Sequence, residues 1–124
     1  MHPFSPALAV IDGSLSQLTR EGAAARSCAP LATAVVEFRG GPLCVYVREL
    51  PHGLLPGMPN LYCLDGDLRM MWMAEWPEAC GYCTRINDAS GDVLTAESAS
   101  GAIVRLDAHT GKIIGIDQPM AVAG

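Results

Sequence analysis

Cys80 and Cys83, in the run CGYC, are the one pair of residues in this 124-residue chain whose spacing has chemical meaning. Thiols at i and i+3 reach a single sulfur-liganded zinc ion, or close a redox disulfide at the start of a helix. A structural zinc site takes four ligands. The chain has no second CxxC, and His2, His52 and His109 are dispersed, so they join such a site only through the fold. Cys28, Cys44 and Cys63 bring the cysteine count to five. An odd number without a secretory leader argues against a disulfide framework. Cys44 and Cys63 fall inside strand-like runs and read as small buried hydrophobes.

The redox alternative has a sequence context. WMAEWPEACGYC, residues 72–83, is similar to the active-site run of thioredoxin-like proteins, which carry a tryptophan ahead of CGxC. It departs from that run by placing Pro77, Glu78 and Ala79 after Trp76, and TRINDASGD breaks any helix beyond Cys83. Structural thiols are therefore the expectation, with thiol redox or metal binding at Cys80 and Cys83 as the alternative. Asp65 and Asp67 flank a glycine as in a calcium loop, but Leu68-Arg69 ends the oxygen pattern such a loop requires. Ser14, Ser27 and Ser90 lack a G-x-S-x-G setting, and Gly40-Gly41 reads as a hairpin turn, not a phosphate loop. Trp72, Trp76 and Tyr82 either fill a core or stack on a ring-shaped ligand. No catalytic constellation emerges, so neither an enzymatic activity nor a cofactor is expected.

Composition narrows the partners. The net charge is −5, and the eight basic residues are scattered. Phosphate binding needs clustered cations, so no nucleic-acid partner is expected. No apolar run approaches the ~18 residues of a membrane span. The first residues lack a basic and apolar leader. A cytoplasmic protein without membrane contact is the expectation. Half the residues are apolar, 17% are charged, and 13 glycines and nine prolines punctuate the chain. That is a β-rich globular composition, read as one domain over residues 1–124.

The elements that must position these side chains are clearest at 91–116, GDVLTAESASGAIVRLDAHTGKIIGI. Three β-branched runs, 93–96, 102–106 and 112–116, alternate with turns at 98–101 and 107–111, which makes a meander. Asp107 can bond the backbone two residues on, and Gly111 takes positive φ without steric cost. The pattern of an apolar run ending in aspartate before a turn recurs at NLYCLDGDLRMMWMAEW (60–76) and ALAVIDGSLSQLT (7–19). Asp12, Asp65 and Asp107 lie 53 and 42 residues apart, and the wider gap contains the Pro/Gly-rich insertion LPHGLLPGMP at 50–59. A period near 40 with several strands per repeat marks propeller blades.

IVRLDAHTGKIIGI resembles a pyrroloquinoline-quinone-type β-propeller repeat, in which a strand pair runs through Leu-Asp, a small-residue turn and Gly-Lys into an apolar strand often ended by tryptophan. Gly115 stands where that tryptophan is common. NLYCLDGDLRMMW has it as Trp72 but lacks Gly-Lys. The resemblance covers residues 33–118 well and 7–19 weakly. It implies a blade architecture, in a class that runs from quinone-dependent dehydrogenases to scaffolds without a cofactor.

The predicted fold is all-β: antiparallel meanders resembling two propeller blades plus an N-terminal hairpin. A partial repeat spans 7–20, a first four-strand sheet 33–76 and a second 81–118. Residues 1–6 read as a lead-in, 21–30 as a connector with room for one helical turn, and 117–124 as a tail. In LCVYVREL, Leu43, Val45 and Val47 face one way and Cys44, Tyr46 and Arg48 the other. Leu54, Leu55 and Met58, apolar in the insertion, either tuck onto the core or cap an interface or a pocket. Two blades cannot close a ring of about four to eight. A homo-oligomer is expected to complete it, a folded-over sandwich being the alternative. The expected function is non-enzymatic, through self-assembly or a protein partner. The alternatives are the thiol or metal chemistry above, or a small-ligand pocket formed in the oligomer.

Overall fold

Asp12 and Gly13 take φ of 50° and 78°, the two-residue turn whose twist matches that of paired strands. In the computed structural model, which describes residues 7–41, 44–54 and 57–118, that turn joins β1 (Ala7–Ile11) to β2 (Ser14–Leu18). The lead-in at 1–6 with His2, Leu43, Leu55 and the tail beyond 118 lie outside the described residues.

The expected connector is a strand instead. β3 (Ala24–Cys28) pairs antiparallel with β2, so the first sheet has three strands, not two. The alanines permit a helical turn, but pairing with β2 overrides that weak propensity. The turn before β3 closes through Thr19 N to Ala23 O at 2.8 Å, with Gly22 at φ 84°. Ser16 and Ser27 share a hydroxyl–hydroxyl bond of 2.9 Å across the pair. Arg26 reaches the Asp67 carboxylate at 3.1 Å.

Two four-strand sheets follow. β4 (Val35–Gly40), β5 (Cys44–Glu49), β6 (Leu61–Asp65) and β7 (Met70–Met73) make the second sheet in sequential order. β8 (Cys83–Ser90), β9 (Val93–Ser98), β10 (Ile103–Asp107) and β11 (Ile113–Asp117) make the third. Among the described residues the one helical element is a 3-10 turn, Glu78–Cys80. Strands β1, β4 and β8, the first of each sheet, lie side by side. Stacked in this way, the sheets resemble consecutive blades of a propeller.

Two cores hold the stack, and strand alternation feeds both. Val45 and Val47 of β5, with Tyr62 and Leu64 of β6, face the first sheet's Leu8, Leu15 and Cys28. Cys44 and Tyr46, with Leu61 and Cys63, face Ile86, Leu94, Val104 and Leu106 of the third sheet. The middle sheet is thus apolar on both faces, which explains its nearly unbroken hydrophobic strands. Turn chemistry follows the aspartates. The Asp107 carboxylate accepts His109 N at 2.8 Å, and Gly111 takes φ 75°. The Asp65 carboxylate accepts Asp67 N at 2.8 Å and Arg69 N at 2.9 Å. There Leu68 takes the left-handed conformation, φ 62°, and its buried side chain joins the first core.

The outward faces of the stack differ. By register, Ala7, Ala9 and Ile11 of β1 share the outer face of the first sheet with Ser16, Leu18, Ala24 and Ser27. The outer face of the third sheet is charged. Arg85 approaches Glu97 at 3.6 Å and Arg105 approaches Asp117 at 3.5 Å. The Arg105 guanidinium lies over Gly115, the position without the repeat's tryptophan.

Candidate functional site

The two cysteines that the sequence groups by spacing stand on different elements. Cys80 ends the 3-10 turn and Cys83 begins β8, and both thiols are free and buried. Burial pushes the Cys83 thiol up to about 12. The thiolate is the form that attacks disulfides and binds metals, and burial in apolar surroundings suppresses it. Cys80 Sγ lies 3.9 Å from Gln118 Nε2. His109 is exposed and bonded to Asp92 at 2.8 Å, which raises its pKa above the ordinary value. His52 sits exposed in the insertion. Among the described residues no group of three or more His, Cys, Asp or Glu side chains comes together to hold a metal. The expected outcome for Cys80→Ala/Cys83→Ala is a loss of about 1–3 kcal/mol from lost packing, with strand content and solution mass retained. Chelator treatment should leave the melting temperature of the parent unchanged. A chelator-induced drop of several degrees would show metal at these thiols.

The aromatic cluster also divides. Trp72 enters the core between the second and third sheets. Its indole N–H donates to Ala108 O at 3.2 Å, and its ring lies against Gly111 and, at a centroid distance of 6.0 Å, Tyr46. Trp76 packs, half-buried, against the same core, and with Tyr82 it lines a cavity of about 330 Å³ together with Gly57, Met58, Pro59, Glu78 and Gly81.

Two segments build that cavity. One wall is 57–59, the end of the insertion, which places the apolar Met58 there. The other is the linker 76–82 between β7 and β8. Trp76 Nε1 donates to Gly81 O at 2.6 Å and fixes the ring across the linker. Gly81 N bonds Glu78 O at 3.1 Å, while Ser100 N and Ala99 N pin Cys80 O and Tyr82 O at 3.0 and 2.9 Å. Gly57, at φ 80°, lies directly against the Glu78 carboxylate, so a side chain there is strained by its backbone and displaces the carboxylate. Among the described residues, the Glu78 carboxylate and the Tyr82 hydroxyl have no hydrogen-bond or ion-pair partner. Quinone binding needs cations converging with carboxylates, and the lining supplies one carboxylate and no cation. The described lining of this cavity therefore does not fit a quinone cofactor.

Two polar residues escaped the sequence reading. Glu49, 1% exposed, ends β5. Its carboxylate accepts Leu31 N, Ala32 N and Thr33 N at 2.7, 3.1 and 3.0 Å, and the Tyr62 hydroxyl. Burial pushes its pKa up, but the donors, Tyr62 first and then the amides, outweigh that and hold it below the ordinary value. Asn60 is buried between sheets. Its amide donates to Glu49 O at 2.8 Å and Cys83 O at 2.9 Å, and its Oδ1 accepts Cys83 N at 2.9 Å. In sequence, the sole signal was a polar residue bordering an apolar strand, which most strands have.

Among solved structures, the fold is similar to the computationally designed Ika8 protein, with a TM-score of 0.69 and 13% identity over 94% of this chain and 34% of that one. It is also similar to BamB from Moraxella catarrhalis, a propeller of the quinone-repeat type, with a TM-score of 0.58 and 14% identity over 95% of this chain and 36% of that one. At such identities the likeness is one of fold. This chain spans about a third of the length of each. No protein-family model and no curated protein matches it. No helix among the described residues is long and apolar enough to cross a membrane.

Proposed function

We propose that this chain is a non-catalytic building unit, acting by assembly with further copies of itself into a larger propeller-like body, which can then receive a protein partner. The observation that carries this reading is the open stack. Three blade-like sheets pack in series, the two end sheets turn one face outward, and the chain spans about a third of the length of its structural neighbours. By length, about three copies would match one such neighbour, and closed rings are the common outcome of head-to-tail contacts.

A blade has four strands, so an N-terminal hairpin at 7–19 by itself lacks two. β3 supplies one of them, so that argument narrows to the outer edge of β3, which pairs with no described strand. Unpaired edges invite strand addition. A second argument comes from apolar exposure. Ile11 and Leu50 are 42% and 40% exposed. Val35 N bonds Gly13 O at 2.8 Å and Leu50 N bonds Ala34 O at 2.8 Å, which brings the β1–β2 turn and the backbone after β5 to the start of β4. Contact through 7–19 and the insertion at 50–59 would cover them.

Charge at these two positions tests the surface. Ile11→Glu/Leu50→Glu should lower the order of the assembly and leave the strand signal in far-ultraviolet dichroism unchanged. An unchanged mass in this variant would remove 7–19 and 50–59 from the contact.

A further inference from the structure

The cavity between 57–59 and 76–82 shares its first wall with the insertion placed in the assembly contact, and its lining has a distinct chemistry. We infer that it is a binding site for an alkylated ammonium group, the headgroup chemistry of choline and related organic cations.

Three features point to a cation with apolar substituents. Trp76 and Tyr82 bring two electron-rich rings into one cavity, and a ring face attracts a cation by about 0.5–2 kcal/mol, with tryptophan the strongest. The Trp76 N–H is already bonded to Gly81 O, so this indole has no N–H left to donate to a ligand. Glu78 supplies a carboxylate with no partner among the described residues, and no described basic side chain lines the cavity. Met58 and Pro59 complete the wall with apolar surface, which suits methyl or methylene groups and offers an inorganic cation no ligands. A volume of about 330 Å³ sits at the small end of ligand pockets and suits a compact headgroup. The wall is fixed before binding, because the linker is bonded to itself and to the turn after β9. Anions and phosphates are disfavoured by Glu78 and by the net charge of −5.

The test titrates the full-length protein with choline chloride at constant ionic strength, reading tryptophan emission and amide chemical shifts. The comparison ligand is 3,3-dimethylbutan-1-ol, which keeps choline's shape and lacks its charge. Choline should bind saturably, shift the amides of Gly57 and Gly81, and bind at least about tenfold tighter than the neutral isostere. Glu78→Gln should weaken choline by about three- to tenfold and Tyr82→Leu by about tenfold. The Glu78 side chain is exposed and unbonded, so Glu78→Gln keeps the test intact if Tyr82→Leu does not fold. Equal affinity for the neutral isostere, no saturable response to choline, or unchanged choline affinity in Glu78→Gln overturns the inference. The solution mass, followed in parallel, reports on assembly independently of this result.

Discussion

Trp72→Ala should be the most damaging single substitution in the chain, lowering stability by about 3–5 kcal/mol in urea unfolding. The ring is 7% exposed, and it joins two sheets at once: it belongs to β7, pairs with Tyr46 of β5, and reaches Ala108 and Gly111 in the turn between β10 and β11. Removing it leaves a cavity where the outer strand of the second sheet meets the third. Trp72→Phe retains much of the apolar volume and loses the bond to Ala108 O, so its cost should be nearer 1 kcal/mol. Gly111→Ala probes the same contact from the other side, because its φ of 75° disfavours a side chain and the Trp72 ring fills the space a Cβ needs. It should fall between the other two. A loss below 1 kcal/mol in Trp72→Ala would mean that the sheets are held together elsewhere.

Glu49→Ala should cost about 2–5 kcal/mol, since each buried group left without a partner costs about 1–3 kcal/mol. The carboxylate gathers the amides of Leu31, Ala32 and Thr33, which lead into β4, and the hydroxyl of Tyr62 on β6. Burial, and then the bonded carboxylate, hold the Tyr62 hydroxyl well above its ordinary pKa, so it remains a donor through the neutral range. Glutamine is a poor replacement, because its NH2 group faces donors. The acid behaviour follows from the direction of the Glu49 shift. Its folded pKa is held below the ordinary 4.5, so the contribution is fully present above that value. It is lost as pH falls through the lower, folded pKa, because the unfolded chain takes up its proton first. Stability measured from pH 6 down to 3 should therefore fall more steeply in the parent than in Glu49→Gln. Parallel curves would remove Glu49 from the acid limb.

The sequence was most informative where the cause of structure is local. Asp12-Gly13, Asp65 and Asp107 with Gly111 set their turns through their own side chains and dihedrals, and the turns form there. Alternation in β5 was also legible, because period two is written in consecutive residues. β3 was not, since Ala24 and its neighbours carry no strand preference and the strand exists through pairing with β2. Leu68 occupies a left-handed position that turn chemistry reserves for glycine or asparagine, because the first core receives its side chain. Glu49 and Asn60 act on partners many residues away, Leu31 and Tyr62 for one and Cys83 for the other. Trp76 and Tyr82 were visible as aromatics, but the cavity exists only because 57–59 returns to face the linker.

The assembly is tested most directly by the mass of the parent protein in solution, by sedimentation equilibrium across a hundredfold range of concentration. An open stack with an unpaired β3 edge and exposed Ile11 and Leu50 should sediment as a multiple of 13.1 kDa, reaching its full order at the upper concentrations. A single species of 13.1 kDa at every concentration would contradict it.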